Sequence, residues 1–222
     1  MVGPVPIRVR LILHATRLSL DYVTRVVQNN LTALELEDTP LNHHDTQKIG
    51  DPLEDFSLQR TTGEAVSLSQ ELEGKRGGVV VFWSGICSHC VRYDAYLNSF
   101  HARHPELAFM AVASRHGESQ EAITKEMAER KLSFPILLDT GGSVAAKWQA
   151  QQTPRAYLLD AQRAIIYRGA IDNYKYSDDP EHLEYLEPAI DQFLKGVPLT
   201  RNETASFGCA IQSVYYVLPK AL

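Results

Sequence analysis

Cys87 and Cys90 stand two residues apart in the stretch FWSGICSHCVRYDAYL, where an apolar run gives way to a helical pattern. Thiolates at this spacing support two chemistries: they can hold a metal, or they can cycle between dithiol and disulfide and carry two electrons. His101 and His104 extend the pattern to C-x2-C-x10-H-x2-H, close to a zinc-finger spacing but short in both later intervals. If residues 88–103 form one helix, His101 lies about 16 Å along the axis from Cys90 at ~1.5 Å per residue. Zinc ligands must all reach one ion at about 2.0–2.3 Å. A straight helix excludes that site, so neither a metal nor another cofactor is expected, and His101 and His104 read as surface residues near a helix end.

The redox chemistry fits the same geometry. A cysteine at a helix N-terminus meets unpaired N–H groups and the positive end of the macrodipole, which stabilise its thiolate. Cys87 would take that place as the more exposed, nucleophilic thiol. Cys90, one turn further, would close a small disulfide ring with it. His89 adds positive charge beside the pair and makes the disulfide easier to reduce.

The elements that must position these groups follow from the hydrophobic pattern. FSLQRTTGEAVSLSQ reads as a hairpin turning at Thr62-Gly63, with a helical turn at residues 68–72. A buried strand at 78–83 feeds the helix at 88–103. Then come a strand at 107–114, a helix at 118–130, a strand at 134–139 and a short helix at 142–149. Two strands follow within 155–170, joined at Asp160-Ala161-Gln162, and a last helix runs to Lys195 with Gly196 at its end. Apolar strands separated by helices imply an α/β fold whose mixed sheet is covered on both faces.

The chain divides into an N-terminal helical extension and linker at 1–45, a core domain at 46–196 and a C-terminal tail at 197–222. In the extension, Leu20, Val23, Val27, Leu31 and Leu34 recur at helical steps and form an apolar stripe that needs a partner surface, its own domain or a second copy in a homodimer. The run VRLILHA near the start is too short for a spanning helix and lacks a signal-peptide pattern, so the expectation is no transmembrane segment and a cytoplasmic location. His43-His44 reads as a solvated linker pair. With net charge -5 and no Lys/Arg block, nucleic acid is not an expected partner. Three cysteines in 222 residues are too few for a disulfide scaffold, so any redox role is local.

The strand VVVFWSGICSHC, the alternation after it and the segment TPRAYLLDAQRAIIYRG resemble the thioredoxin superfamily, and within it the redoxin and thiol-specific-antioxidant group. The resemblance covers about residues 50–196 and implies a thioredoxin-like three-layer α/β/α fold. It also implies that Thr153-Pro154 is a cis pair packed against the cysteines, with Pro154 part of the catalytic site. Trp83, Ser88 and the backbone of Thr153 are then expected to meet substrate, Thr153 by offering an extended edge. Many proteins of this group are exported, which makes a periplasmic location the alternative. The segments DNYKY, EPAIDQFLKG and ETASFGCAIQ resemble a peroxiredoxin-like subgroup ending in a similar Gly-Cys segment.

Departures accompany the matches. Ile86 stands where thioredoxins have Trp, and Val81 where many carry a buried acid, leaving Asp94 as a candidate proton acceptor. A peroxiredoxin pattern would need Pro at the position of Val80; Ser84 matches its hydroxyl, and Arg155 stands near the place of its Arg but follows Pro154, so two of its three elements are compromised. Three readings stay open. The first is dithiol-disulfide exchange with protein or small-molecule disulfides by Cys87 and Cys90, with no electron donor named by the residues. The second is a hydroperoxide reductase with Cys87 as the peroxidatic thiol, and the third a binding module that does no chemistry. Cys209 reads as a small buried hydrophobe, with a third redox thiol as the sharper alternative.

Overall fold

The computed structural model describes residues 47–174 and 179–211. The amphipathic stripe of residues 20–34, His43-His44 and the homodimer expected through the N-terminal helix lie outside the described residues.

Nine strands and seven helices are formed among the described residues. β1 (Ser57–Arg60) and β2 (Ala65–Ser67) make the expected hairpin, and α1 (Leu68–Leu72) follows at once. Its start is fixed by a capping box in which the Ser67 hydroxyl accepts from Gln70 N–H while the Gln70 side chain accepts from Ser67 N–H. β3 (Gly77–Trp83) and β4 (Leu107–Ala113) are buried along their whole length, as central strands covered on two faces must be. α5 (Gln120–Arg130) opens on a Ser119 cap and ends at Lys131 with φ 53°. β5 (Ile136–Leu138), α6 (Ser143–Lys147), β7 (Arg155–Asp160), β8 (Ile165–Gly169) and α7 (Leu186–Lys195) lie within a few residues of their expected places. Pro188 is tolerated because it sits in the first turn of α7, where its missing N–H has no intrahelical partner to lose.

The main sheet has the order β2-β1-β5-β4-β3-β7-β8. β3, β4 and β5 run parallel, while β1, β7 and β8 pair antiparallel to their neighbours. Side chains alternate across β3. Val79, Val81 and Trp83 enter one core with Leu97, Phe100, Ile123 and Ile190. Val80 and Phe82 enter the other with Leu68, Leu72, Val144 and Trp148. Two apolar cores on opposite faces of a mixed sheet make the three-layer α/β/α fold. Among the described residues no helix is long and apolar enough to cross a membrane.

One expected element is different. The helix read across residues 88–103 is three short helices, α2 (Ser88–Val91), α3 (Asp94–Asn98) and α4 (Phe100–Arg103). Breaks fall at Arg92-Tyr93 and at Ser99, whose hydroxyl donates to the carbonyls of Ala95 and Tyr96 and so competes with the helix ladder. Two further strands carry too little pattern to read from sequence. β6 (Gln152–Thr153) and β9 (Cys209–Ala210) form a separate two-stranded sheet that brings the tail back onto the domain.

Candidate active site

β3 delivers the chain to the site and stops at Ser84, after which Gly85 and Ile86 turn it into α2. The turn is held from two sides by residues far away in sequence. Glu118 Oε1 accepts from Gly85 N–H at 2.6 Å and from Ile86 N–H at 3.3 Å. Arg130 Nη1 donates to the Gly85 carbonyl at 2.7 Å, while its Nε and Nη2 grip Asp94 at 2.8 and 2.5 Å. Asp94 is therefore occupied as the carboxylate of a bidentate pair, and is neither a solvated acid nor an acceptor for the Cys90 proton. Glu118 and Arg130 gave no sequence signal because the site groups they hold lie far away in the chain.

Cys87 is the N-cap of α2, and its carbonyl accepts from Cys90 N–H at 2.9 Å. Its sulfur lies 3.2 Å from the carbonyl oxygen of Thr153. The Thr153–Pro154 bond is cis. Cys87 and Cys90 are both fully buried, which overturns the expectation that Cys87 is the exposed thiol. The cover is the tail: β9 lies along β6, with Thr153 opposite Cys209 and Gln152 opposite Ala210. Cys209 is partly exposed and packs against the core that holds Cys87 and Cys90. It is thus a neighbour of the reactive pair and not an isolated core residue.

The two active-site thiols are driven apart electrostatically. Hydrogen bonding from the Cys90 thiol, then from Cys209 and Thr153, brings the Cys87 pKa down to about 4 against the opposing effect of burial. Burial pushes Cys90 well up, and the Cys87 hydrogen bond and charge push it further. Cys87 is thus a thiolate at neutral pH beside a Cys90 that keeps its proton. The lowering comes chiefly from neighbouring hydrogen-bond donors, since α2 is a single turn and its dipole is correspondingly small.

Other expected site residues fall in different places. Ser88 is exposed at the start of α2, and His89 lines a cleft of about 510 Å³ together with Pro154, Tyr93, Asp172, Tyr185 and Phe207. Trp83 is fully buried, packed edge-on against Phe134 with Arg130 over its ring, so it supports the site from below and cannot meet substrate. Arg155 donates to the Tyr157 hydroxyl at 3.0 Å and Ser84 is buried. His104 is buried too, with Nε2 on Glu187 at 2.9 Å, in contrast to the surface position expected. The straight-helix argument against zinc falls with the helix itself. Among the described residues no three His, Cys, Asp or Glu converge as metal ligands.

Comparison with known proteins agrees with this geometry. Thiol-disulfide oxidoreductase ResA of Halalkalibacterium halodurans is 26% identical over 119 residues, 54% of this chain and 66% of that protein. ResA of Bacillus subtilis is 26% identical over 117 residues, 53% of this chain and 64% of the relative. The chain thus spans slightly less than two thirds of the length of these curated relatives. The crystal structure of a hypothetical protein from Sinorhizobium meliloti 1021 superposes with a TM-score of 0.68 at 26% identity, covering 76% of this chain and 96% of that one. The Redoxin family model matches residues 48–186, from the strand hairpin through the cysteine pair and the cis-proline to the start of α7, and the chain belongs to the redoxin family.

Proposed function

We propose that the protein is a thiol-disulfide oxidoreductase in which Cys87 attacks disulfides and Cys90 resolves the resulting mixed disulfide. The observation that carries this reading is the geometry of the pair, Cys87 at the N-cap of α2 with its sulfur 3.2 Å from the carbonyl of the cis Thr153–Pro154 edge and Cys90 one turn on, and the opposed pKa shifts of the two thiols support it. The Cys87 thiolate attacks one sulfur of a substrate disulfide, forming a Cys87–substrate bond and expelling the other sulfur as thiolate. Once Cys87 is bonded, its charge and its acceptor for the Cys90 hydrogen bond are gone. Two of the three effects that raise the Cys90 pKa then vanish, and Cys90 can give up its proton without a buried acid. Its sulfur attacks Cys87, the Cys87–Cys90 disulfide forms, and the substrate leaves as a thiol carrying that proton.

Protein disulfides are the substrate class favoured here. The likeness to ResA supports it, as does the cleft beside His89 and Pro154, and exposed Ile86 and Phe207 offer apolar contact next to the thiols. His89 and Ser88 belong to this docking face. The same steps run backward would donate a disulfide. Direction follows from potential, and a thiolate as stable as Cys87 favours the reduced form, placing the pair toward the oxidising end of the ~-270 to -120 mV range.

The test is exchange with glutathione disulfide, read as the Cys87–Cys90 bond by peptide mapping. Wild type is expected to form it, Cys90→Ser to react at Cys87 without being able to form it, and Cys87→Ser to do neither. Activity retained in Cys87→Ser would sink the reading. Consumption of hydroperoxide far faster than of disulfide would instead favour the peroxidase.

A further inference from the structure

The edge that a disulfide substrate would pair with is occupied by the chain's own tail. β9 forms an antiparallel pair with β6, and the pairing is tight enough that Gly208 admits no side chain. A Cβ there would lie 1.9 Å from the Thr153 carbonyl oxygen and 2.7 Å from its carbon. The strap is fastened on both sides of this contact. Upstream, Thr204 N–H donates to the Arg168 carbonyl at 3.1 Å, Thr204 Oγ1 accepts from Ala170 N–H at 2.9 Å, and Arg168 Nε donates to Glu203 at 2.7 Å. Downstream, Ile211 N–H donates to the Gln151 carbonyl at 2.8 Å. The result is an ordering of thiols by access: Cys90 and Cys87 are sealed, while Cys209 is partly exposed and stands opposite Thr153, whose carbonyl oxygen lies 3.2 Å from the Cys87 sulfur.

We infer that Cys209 is a third redox thiol of this site, the relay through which an external dithiol reduces the Cys87–Cys90 disulfide. This rests on the exchange chemistry above. The Cys209 sulfur attacks Cys87, so that a Cys87–Cys209 bond forms as the Cys87–Cys90 bond breaks, and Cys90 takes up the proton that Cys209 gives up. The external dithiol then attacks the Cys209 sulfur, the member of the new bond that solvent can reach. Cys87 departs as thiolate, the better leaving group of the two because its pKa is the lower. The second thiol of the reductant frees Cys209 from its mixed disulfide. One dithiol has become a disulfide, and Cys87 and Cys90 are both reduced.

The electrostatics switch in step with this sequence. In the reduced protein burial raises the Cys209 pKa, and the Cys87 hydrogen bond and charge raise it further, so Cys209 keeps its proton. In the Cys87–Cys90 disulfide Cys87 has no charge, and two of those effects are lost. The Arg115 side chain, which lowers the Cys209 pKa, then acts against burial alone. Cys209 becomes more acidic in the state in which it must attack.

A merely structural strap and a relay predict opposite signs. The test uses the full chain as wild type, Cys90→Ser and Cys209→Ser. Each is oxidised with glutathione disulfide, and the oxidised wild type and Cys209→Ser proteins are then reduced by dithiothreitol under stopped flow. Cys90→Ser is expected to map a Cys87–Cys209 bond in place of a glutathione adduct. Cys209→Ser is expected to form the Cys87–Cys90 disulfide but to be reduced about 10-fold more slowly than wild type, because the reductant must now reach a buried sulfur. Reduction of Cys209→Ser at the wild-type rate or faster overturns the relay and leaves exchange by Cys87 and Cys90 standing, as does Cys90→Ser carrying only glutathione on Cys87. Absence of any Cys87–Cys90 disulfide in wild type and Cys209→Ser overturns both.

Discussion

Gly208→Ala isolates the strap from the thiols it covers. Gly208 has an ordinary negative-φ backbone that alanine adopts freely, so the added methyl acts only through space. It would stand 1.9 Å from the Thr153 carbonyl oxygen. Both partners are backbone, and neither can swing aside as a side-chain tip would, so β9 must retreat from β6. Forcing a methyl into a filled contact costs about 1–3 kcal/mol. Charged to the closed state alone, that cost raises the open fraction of the strap by roughly 5- to 150-fold. Cys87 is fully buried when the strap is closed, so an alkylating reagent reaches it through the open fraction, and its rate scales with that fraction when closing is fast. Iodoacetamide labelling of Cys87 in the reduced protein at about pH 6, followed by peptide mapping, should therefore accelerate by at least ~5-fold, with Cys90 still protected. A Gly208→Ala rate within about twofold of wild type, measured well below the melting temperature, would refute the claim that β9 gates access to the thiolate.

Further outcomes follow from the same geometry. In that opened variant, alkylation of Cys87 should depend on pH with a midpoint near the folded pKa of about 4, far below the ordinary thiol value of 9.0, and a midpoint near 9 would contradict the hydrogen-bonded thiolate. Stability of the reduced protein carries the same signature. Between pH 4 and 9 the unfolded chain binds a proton at Cys87 that the folded one does not, so this stabilisation is complete above about 9 and fades as pH falls through about 4. Cys90 has the opposite sign: its raised pKa lowers stability as pH climbs beyond about 9. Urea titrations of reduced wild type and Cys87→Ser should therefore converge toward pH 4. Arg130→Met leaves the largely buried Asp94 carboxylate without its bidentate partner and the Gly85 carbonyl without its donor, at a cost of about 3 kcal/mol by urea unfolding, with a loss below ~1 arguing against the brace. The midpoint potential of the Cys87–Cys90 pair, measured against glutathione, should lie above about -200 mV, and a value near -270 mV would mean that the thiolate is not selectively stabilised.

How far the sequence determined this protein can be seen element by element. The fully apolar runs of β3 and β4, the Thr62-Gly63 turn and the Gly196 stop are local signals, each fixed by residues within one turn or strand. They carried the α/β order and, with the CSHC spacing, the place of the cysteine pair. Thr153–Pro154 was legible by its position before β7 and by resemblance, and the structure gives it the cis form. What tertiary structure alone decided are contacts between groups distant in the chain. Ser99 and the Arg92-Tyr93 turn divide a helix whose composition reads as continuous, because side-chain and tertiary partners compete with its ladder. Glu118 and Arg130 hold the turn before Cys87 through backbone atoms, which no residue type advertises. Trp83 falls to the core because the pleat of β3 turns it inward. The two-residue strand β9 has no periodicity to detect, yet it buries Cys87 and sets Cys209 against it. Sequence local to the cysteines determined which atoms could exchange electrons, and the return of the tail, a contact across more than fifty residues from Thr153 to Cys209, decided which of them meets solvent.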